Sequence, residues 1–213
     1  MKLRAVVLAA VLLAACAAKA KVSPTYSAPP APRPSSGAAP WAAPADPLAR
    51  ARRAGLSIDR KEFFTFHIHA HLDVFVNGKA VTVPGGLGID IHDPGVRHVA
   101  LPGGGTAYGG IELCAKPCIA SLHTHQPSGI VHIESAKAQD FTLGQFFTMW
   151  GVQLDSSCVG GYCSPDAKVA VFVKGNRYEG NPADIVFANH EEIAVVIGSP
   201  PPQVPATYGV PEV

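Results

Sequence analysis

The chain lacks the features that would place it in two large functional classes. It carries 17 basic and 16 acidic residues among 213, and no basic cluster follows its first residues, so nothing in it attracts nucleic acid. The apolar run near the N-terminus has about ten residues, which is too short to span a bilayer. We therefore expect neither a nucleic-acid-binding protein nor a protein with a membrane-spanning helix.

The first residues, "MKLRAVVLAAVLLAAC", are typical of an export signal, with two basic residues ahead of the apolar run. The end of this segment resembles the lipobox of bacterial lipoproteins, in which the cysteine is lipidated and becomes the mature N-terminus. The resemblance implies a signal peptide over residues 1–15 and a lipid anchor on Cys16. It also implies outer-membrane sorting and a periplasmic location in a cell with two membranes, because Ala17 is not acidic. Ordinary cleavage after Ala20 is the alternative.

Composition divides the rest of the chain into three parts. Residues 16–55 are rich in Pro, Ala and Ser, and they read as a semi-rigid tether because they bury too little apolar surface to offset ordering entropy. Residues 56–208 read as a single β-rich folded domain, and residues 209–213 as a tail.

Cysteines are scarce, and after Cys16 their number is even. In an oxidising compartment disulfides are then the default, and local bridges are plausible, although four cysteines allow three connectivities. The spacing of "CAKPC" also suits copper binding or disulfide exchange, but no thioredoxin-like frame surrounds it. The four disulfide candidates are Cys114, Cys118, Cys158 and Cys163.

Period-two alternation predicts the central strand. In "FHIHAHLDVFV" apolar residues alternate with histidines and Asp73, and Asn77-Gly78 is a strong hairpin signal before a return strand. In "FTLGQFFTMWG" the period becomes helical, and Thr142 with Gln145 matches a capping box, so we expect a helix from there to near Gly151.

The later segments "KVAVFVKGNRYEG" and "EEIAVVIGSP" read as strands. The predicted fold is α+β and mainly β, with one helix covering a mixed or antiparallel sheet in a β-grasp-like order. The two V-F-V-x-G hairpins also allow two related halves.

Six of the nine histidines occupy alternate positions in two segments, on the side of each predicted strand that faces away from its apolar residues. If Gln126–Gly129 is a four-residue loop, His125 pairs with Ile130 and His123 lies opposite His132, so these side chains and Glu134 converge on one face. On the upstream strand three histidines also lie opposite the apolar face. The candidate metal ligands are His67, His69, His71, His123, His125 and His132, with Glu134 as an additional ligand or proton shuttle.

Imidazole with one carboxylate suits copper(II) or zinc, and soft ligands for Cu⁺ are scarce because only two methionines occur. A His-x-His pair with a distant third histidine resembles the zinc centre of α-type carbonic anhydrases and the His-x-His element of cupins. The other motifs of those families are missing, so no activity follows. Hydrogen-bonded buried histidines, or a solvated face, are the alternatives to a metal site.

The motifs "HIHAHLDVFVNGK", "LHTHQPSGIVHIES" and "FTLGQFFTMWGV" together resemble a family of uncharacterised exported bacterial proteins, including lipoproteins. The resemblance covers nearly all of the folded part. It implies export but no reaction.

Three functions are consistent with these patterns. The first is a lipid-anchored envelope protein that binds a transition metal. The second is a histidine-ligated metalloenzyme of hydrolase or lyase type, with Glu134 or Glu112 as proton shuttle, and the third is a non-metal binding module on a tether. The protein partner, if any, is not indicated by the sequence.

Overall fold

The computed structural model describes residues 36–209. The predicted signal, Cys16, the first half of the predicted tether and the last four residues therefore lie outside the described residues. Within residues 36–209 the helices are α1 (Pro47–Arg53), α2 (Leu143–Trp150) and a 3-10 turn at Pro182–Asp184. No helix in this part of the chain has the length and apolar character needed to cross a bilayer.

The strands of the described residues include one long strand and many short ones. In chain order they are β1 (Ile58–Asp59), β2 (Phe66–Val76), β3 (Lys79–Val81), β4 (Arg97–Ala100), β5 (Thr106–Gly109), β6 (Ile119–Ala120), β7 (Leu122–His123), β8 (Ile130–Ser135), β9 (Cys158–Val159), β10 (Tyr162–Cys163), β11 (Val169–Val173), β12 (Asn176–Tyr178) and β13 (Glu191–Ile197). The predominance of strands over helices confirms an α+β fold that is mainly β.

The main sheet is mixed and is organised around β2. Its strand order is β12-β11-β13-β2-β8-β7, and β3 pairs with the second half of β2. Strand β13 runs parallel to β2, whereas β8 and β3 pair with it in antiparallel fashion. The alternation predicted for β2 is confirmed, because Ala70, Leu72 and Val74 are buried on its apolar face.

Helix α2 covers the apolar side and matches its sequence signals. The Thr142 side chain accepts from the backbone of Gln145, the Gln145 side chain accepts from the backbone N–H of Thr142, and Gly151 ends the helix with φ 80°. The large side chains of α2 join the core formed with β2, β8 and β13. One covering helix was predicted, and the structure adds α1, which packs against α2. The β-grasp-like arrangement remains a prediction.

The two V-F-V-x-G hairpins share one turn geometry. Asn77 and Gly78 have φ of 48° and 75°, and Lys174 and Gly175 have φ of 50° and 74°. Both turns suit the right-handed twist of the strands that they connect. The proposal of two related halves stays a prediction.

The folded part extends further toward the N-terminus than its composition indicates. Trp41, in the predicted tether, is only 4% exposed, and its ring meets that of Trp150 edge-on at 5.8 Å. Helix α1 also lies within residues 16–55, with Ala51 fully buried. Residues 41–54 therefore pack on the domain, because one tryptophan buries enough apolar surface to order a segment otherwise rich in Pro and Ala.

Both local disulfides are present. Cys114 bonds to Cys118, and Cys158 bonds to Cys163. The first pair belongs to a small second core that includes Ile89, Val96 and Ile111, with Tyr108 packed against it.

Candidate metal site

The two histidine-bearing segments are adjacent strands of one sheet. Strand β8 pairs with β2 so that His132 lies opposite His69, and Glu134 lies opposite His67. On its other edge β8 pairs with β7, which places His123 opposite His132 as the hairpin register predicts. Because opposed residues share a face, side chains from three strands converge on the polar side of the sheet.

His125 reaches the same place by a different route from the one predicted. The β7–β8 pairing ends at His123–His132, so the predicted pair of His125 with Ile130 does not form. The predicted four-residue loop is also wrong, because the connection runs over residues 124–129. The ring of His125 nevertheless lies 4.3 Å from that of His132, centroid to centroid. Its Nδ1 donates to the carbonyl of Tyr108, next to the small second core, and this contact holds the ring in the cluster.

Five imidazoles therefore form what we call the five-histidine cluster: His67, His69, His123, His125 and His132. His69 Nε2 lies 3.0 Å from His67 Nε2 and 3.1 Å from His132 Nδ1. Two triads within the cluster, His67–His69–His132 and His123–His125–His132, have ligand atoms that all lie within 4.8 Å of one another. His132 belongs to both triads, so it occupies the middle of the cluster.

Two rings of the cluster have their tautomer fixed by the backbone. His123 Nδ1 donates to the carbonyl of Ala120 at 2.9 Å, and His125 Nδ1 donates to that of Tyr108. In a neutral ring the Nε2 atom then carries a lone pair. For His123 this atom is buried and has no hydrogen-bond partner among the described residues. Such a backbone contact on the far nitrogen is the usual arrangement of a metal-binding histidine.

The environment disfavours the protonated form of all five rings. Burial, followed by the charges of His67, His190 and His125, lowers the pKa of His69 to about 4. Burial lowers the pKa of His123 well below its ordinary value and lowers those of His67, His125 and His132 as well. Neutral imidazole is the form that binds a metal, so protons compete weakly here.

Glu134 adds a carboxylate to the cluster, as the sequence predicts. Its Oε1 lies 3.2 Å from His67 Nε2, 3.7 Å from His123 Nε2 and 3.8 Å from His132 Nδ1. Its Oε2 accepts from the backbone N–H of Phe63 at 2.9 Å. Burial raises the pKa of Glu134 to about 7, against the opposing effect of the Phe63 hydrogen bond.

His71 does not join the other five histidines, although its side chain lies on the same face of β2 as those of His67 and His69. Its Nδ1 lies 2.9 Å from Glu192 Oε2, and its Nε2 donates to the carbonyl of Ser128 at 2.8 Å. It belongs instead to a separate group with Asp73 and Glu192. The six predicted ligands are thus divided between two groups, because β13 brings the buried Glu192 opposite His71.

Sequence reasoning missed three carboxylates at these sites, namely Glu62, Asp73 and Glu192. Glu62 Oε1 lies 3.3 Å from His125 Nε2, and it comes from an irregular segment before β2 that has no periodic signal. Glu192 comes from β13, whose residues are all buried, so alternation could not mark one face. The acidic pair opening this apolar strand was the available signal. Glu112 lies away from the cluster, 88% exposed and 3.7 Å from Arg97.

No family model matches this chain, and no curated protein or solved structure is significantly similar to it. The functional argument therefore depends on the side chains themselves.

Proposed function

We propose that this is an exported, lipid-anchored envelope protein that binds a transition metal, Cu²⁺ or Zn²⁺, through the five-histidine cluster. The observation that carries the proposal is the buried Nε2 of His123, which has no partner among the described residues and faces neutral rings and Glu134. An unpaired buried acceptor is costly, and a bound cation would satisfy it.

The nitrogen atoms of β2 and β8 support the same conclusion. His69 Nε2 faces a ring nitrogen on each side, at 3.0 and 3.1 Å. The pKa of His69 is lowered to about 4, so its ring is neutral at pH 7. Its Nε2 then offers either one proton or one lone pair to the nitrogens of His67 and His132. A cation between the rings would bind several lone pairs at once, whereas a proton joins only two.

The donor set favours Cu²⁺ or Zn²⁺. Imidazole with a nearby carboxylate suits both ions. The described cysteines are joined in disulfides, so they offer no thiolate for Cu⁺. Tetrahedral zinc needs four ligands, and the cluster with Glu134 supplies more than that number within a few ångströms.

The envelope location is supported by the lipobox-like segment ending at Cys16 and by the two disulfides, since disulfides persist in oxidising compartments. A domain held to a membrane by an acyl chain stays in the aqueous phase, where it meets exchangeable ions. Transport, buffering or delivery of the metal are the roles that this arrangement suits.

Metal titration of the mature chain tests the proposal. We expect about one Cu²⁺ or Zn²⁺ bound tightly per chain, and His132→Ala to weaken that binding more than about 100-fold, beyond the usual effect of altering an outer hydrogen-bond partner. His92→Ala, at an exposed histidine outside the cluster, is the matched control and should bind as the wild type does. Equal tight binding by the wild type and His132→Ala would refute the five-histidine cluster as the site, and no tight binding by the wild type would favour the non-metal binding module.

One observation favours a metalloenzyme as the second candidate function. The pKa of Glu134, raised to about 7 by burial, suits a general acid or base beside a metal-bound water. This function needs an open coordination position. Azide should then change the visible spectrum of the Cu²⁺ form, and an unchanged spectrum would leave binding without catalysis.

A further inference from the structure

A second group of ligand-type side chains lies beside the five-histidine cluster, across β2 and β13. His71 on β2 is directly opposite Glu192 on the parallel strand, and Asp73 follows on the same face of β2. Each of the three residues offers a ligand atom, and these atoms lie within 4.8 Å of one another. His71 Nδ1 is 2.9 Å from Glu192 Oε2 and 3.9 Å from Asp73 Oδ2.

Two buried oxygen atoms at this group lack partners. The Glu192 side chain is fully buried, and its Oε1 has no hydrogen-bond partner among the described residues. The hydroxyl of Tyr208 is also buried without a partner in this part of the chain, and its ring stacks on His71 at 4.9 Å. Burying a carboxylate oxygen without a partner is unfavourable, so this site is incomplete without a ligand or a water molecule.

The ring of His71 is oriented so that one nitrogen faces the carboxylates. Its Nε2 donates to the Ser128 carbonyl at 2.8 Å, because a carbonyl can only accept. Its Nδ1 therefore points at Glu192 and is the position that takes either a proton or a metal ion. A backbone carbonyl on the far nitrogen is the outer contact that metal-binding histidines commonly make.

We propose that His71, Asp73 and Glu192 form a second divalent-cation site, richer in oxygen than the five-histidine cluster and separate from it. One imidazole with two carboxylates suits a harder ion such as Mn²⁺ better than it suits copper. A cation there balances two carboxylates and supplies the partner that Glu192 Oε1 lacks. Two arrangements compete with a bound metal: an ion pair of protonated His71 with Glu192, and a proton shared between Asp73 and Glu192.

Mn²⁺ is the probe that separates the two sites. Its affinity for nitrogen-rich sites is the lowest of the common divalent series, so the five-histidine cluster competes for it poorly. The experiment follows the electron paramagnetic resonance signal of free Mn²⁺ during titration of the mature chain. We expect about one Mn²⁺ per chain, retained in His132→Ala, and bound at least about 10-fold more weakly in Asp73→Asn and Glu192→Gln.

Asp73 is 28% exposed, so Asp73→Asn tests the site even if the buried substitution at Glu192 prevents folding. Three results would overturn the proposal: no Mn²⁺ binding by the wild type, equal binding by the wild type and Asp73→Asn, or loss of Mn²⁺ only in His132→Ala. The inference does not depend on the proposed function, because loss of tight Cu²⁺ binding in His132→Ala reports on the other site.

Discussion

Glu134 lies among three histidine rings with its side chain only 4% exposed, and its Oε1 is 3.2 Å from His67 Nε2. Its pKa is raised to about 7, chiefly by burial. The same loss of solvent lowers the pKa of His69 to about 4. Burial thus disfavours the charged form of both residue types, so it raises the pKa of the acid and lowers the pKa of the bases.

In the metal-free protein, Glu134→Gln should become more stabilising as the pH rises. The folded pKa of Glu134 lies above its ordinary value of 4.5, so its contribution to stability is fully present below pH 4.5 and is lost as pH rises through about 7. Gln resembles the protonated form and avoids this loss, which amounts to roughly 3 kcal/mol at most. Urea unfolding at pH 5 and pH 8 measures the difference.

Glu112→Gln is the matched control, because Glu112 is 88% exposed. Its effect on stability should be nearly the same at both pH values. If Glu134→Gln showed the same flat response as this control, the description of Glu134 as a carboxyl group with a raised pKa would be wrong.

At the scale of elements, the β7–β8 hairpin depends on a close approach between its turn and β2. Gly129 has φ 82°, and its carbonyl accepts from the N–H of Leu72. A Cβ atom at this position would lie 2.6 Å from the Leu72 carbonyl oxygen and 2.9 Å from His71 Nε2. Only glycine allows the turn to lie this close to β2. Gly129 therefore determines how closely β8, which carries His132, approaches β2.

Gly129→Ala should therefore destabilise the domain by about 1–3 kcal/mol more than Gly103→Ala does, because it adds overpacking to backbone strain. Gly103 has φ 91° with nothing within 4 Å of an added Cβ, so this matched variant experiences only the strain. Thermal and urea unfolding of both variants measure this difference in unfolding free energy. Equal losses would mean that the turn can move away from β2 at little cost.

At the scale of the whole molecule, residues 41–54 contribute side chains to the core. Trp41 packs edge-on against Trp150 at 5.8 Å and Tyr162 at 6.3 Å, and its carbonyl accepts from Trp150 Nε1. This packing joins the segment to α2 and to the loop that carries β10. The covered side of the sheet is therefore complete only with residues that composition assigns to a tether.

Trp41→Ala should cost about 3–5 kcal/mol of unfolding free energy, the range for removing a large buried aromatic side chain. Trp41→Phe keeps an aromatic ring in the same place and should cost less. Urea unfolding followed by the fluorescence of Trp150, the remaining tryptophan, measures both variants. A loss below about 1 kcal/mol for Trp41→Ala would show that the segment is dispensable.

Several features of the site were predictable from local patterns. Side-chain alternation along a strand places His67 and His69 on one face and His123 opposite His132. The capping box of α2 depends on contacts between residues three apart. The local disulfides likewise join cysteines separated by four and five residues. The contacts of Glu62 with His125 and of Glu192 with His71 were not predictable, because each joins residues that are far apart in the chain.

The sequence by itself determined the polar face of β2, the position of His123 opposite His132 and the chemistry of the donors, since strand period and nearby contacts act locally. Only the tertiary structure decided which strands are neighbours. Pairing β2 with β8 assembles the five-histidine cluster, and pairing it with β13 diverts His71 to Glu192. Burial, which keeps the cluster neutral, is likewise a property of the assembled fold, because desolvation depends on every element packed around a side chain.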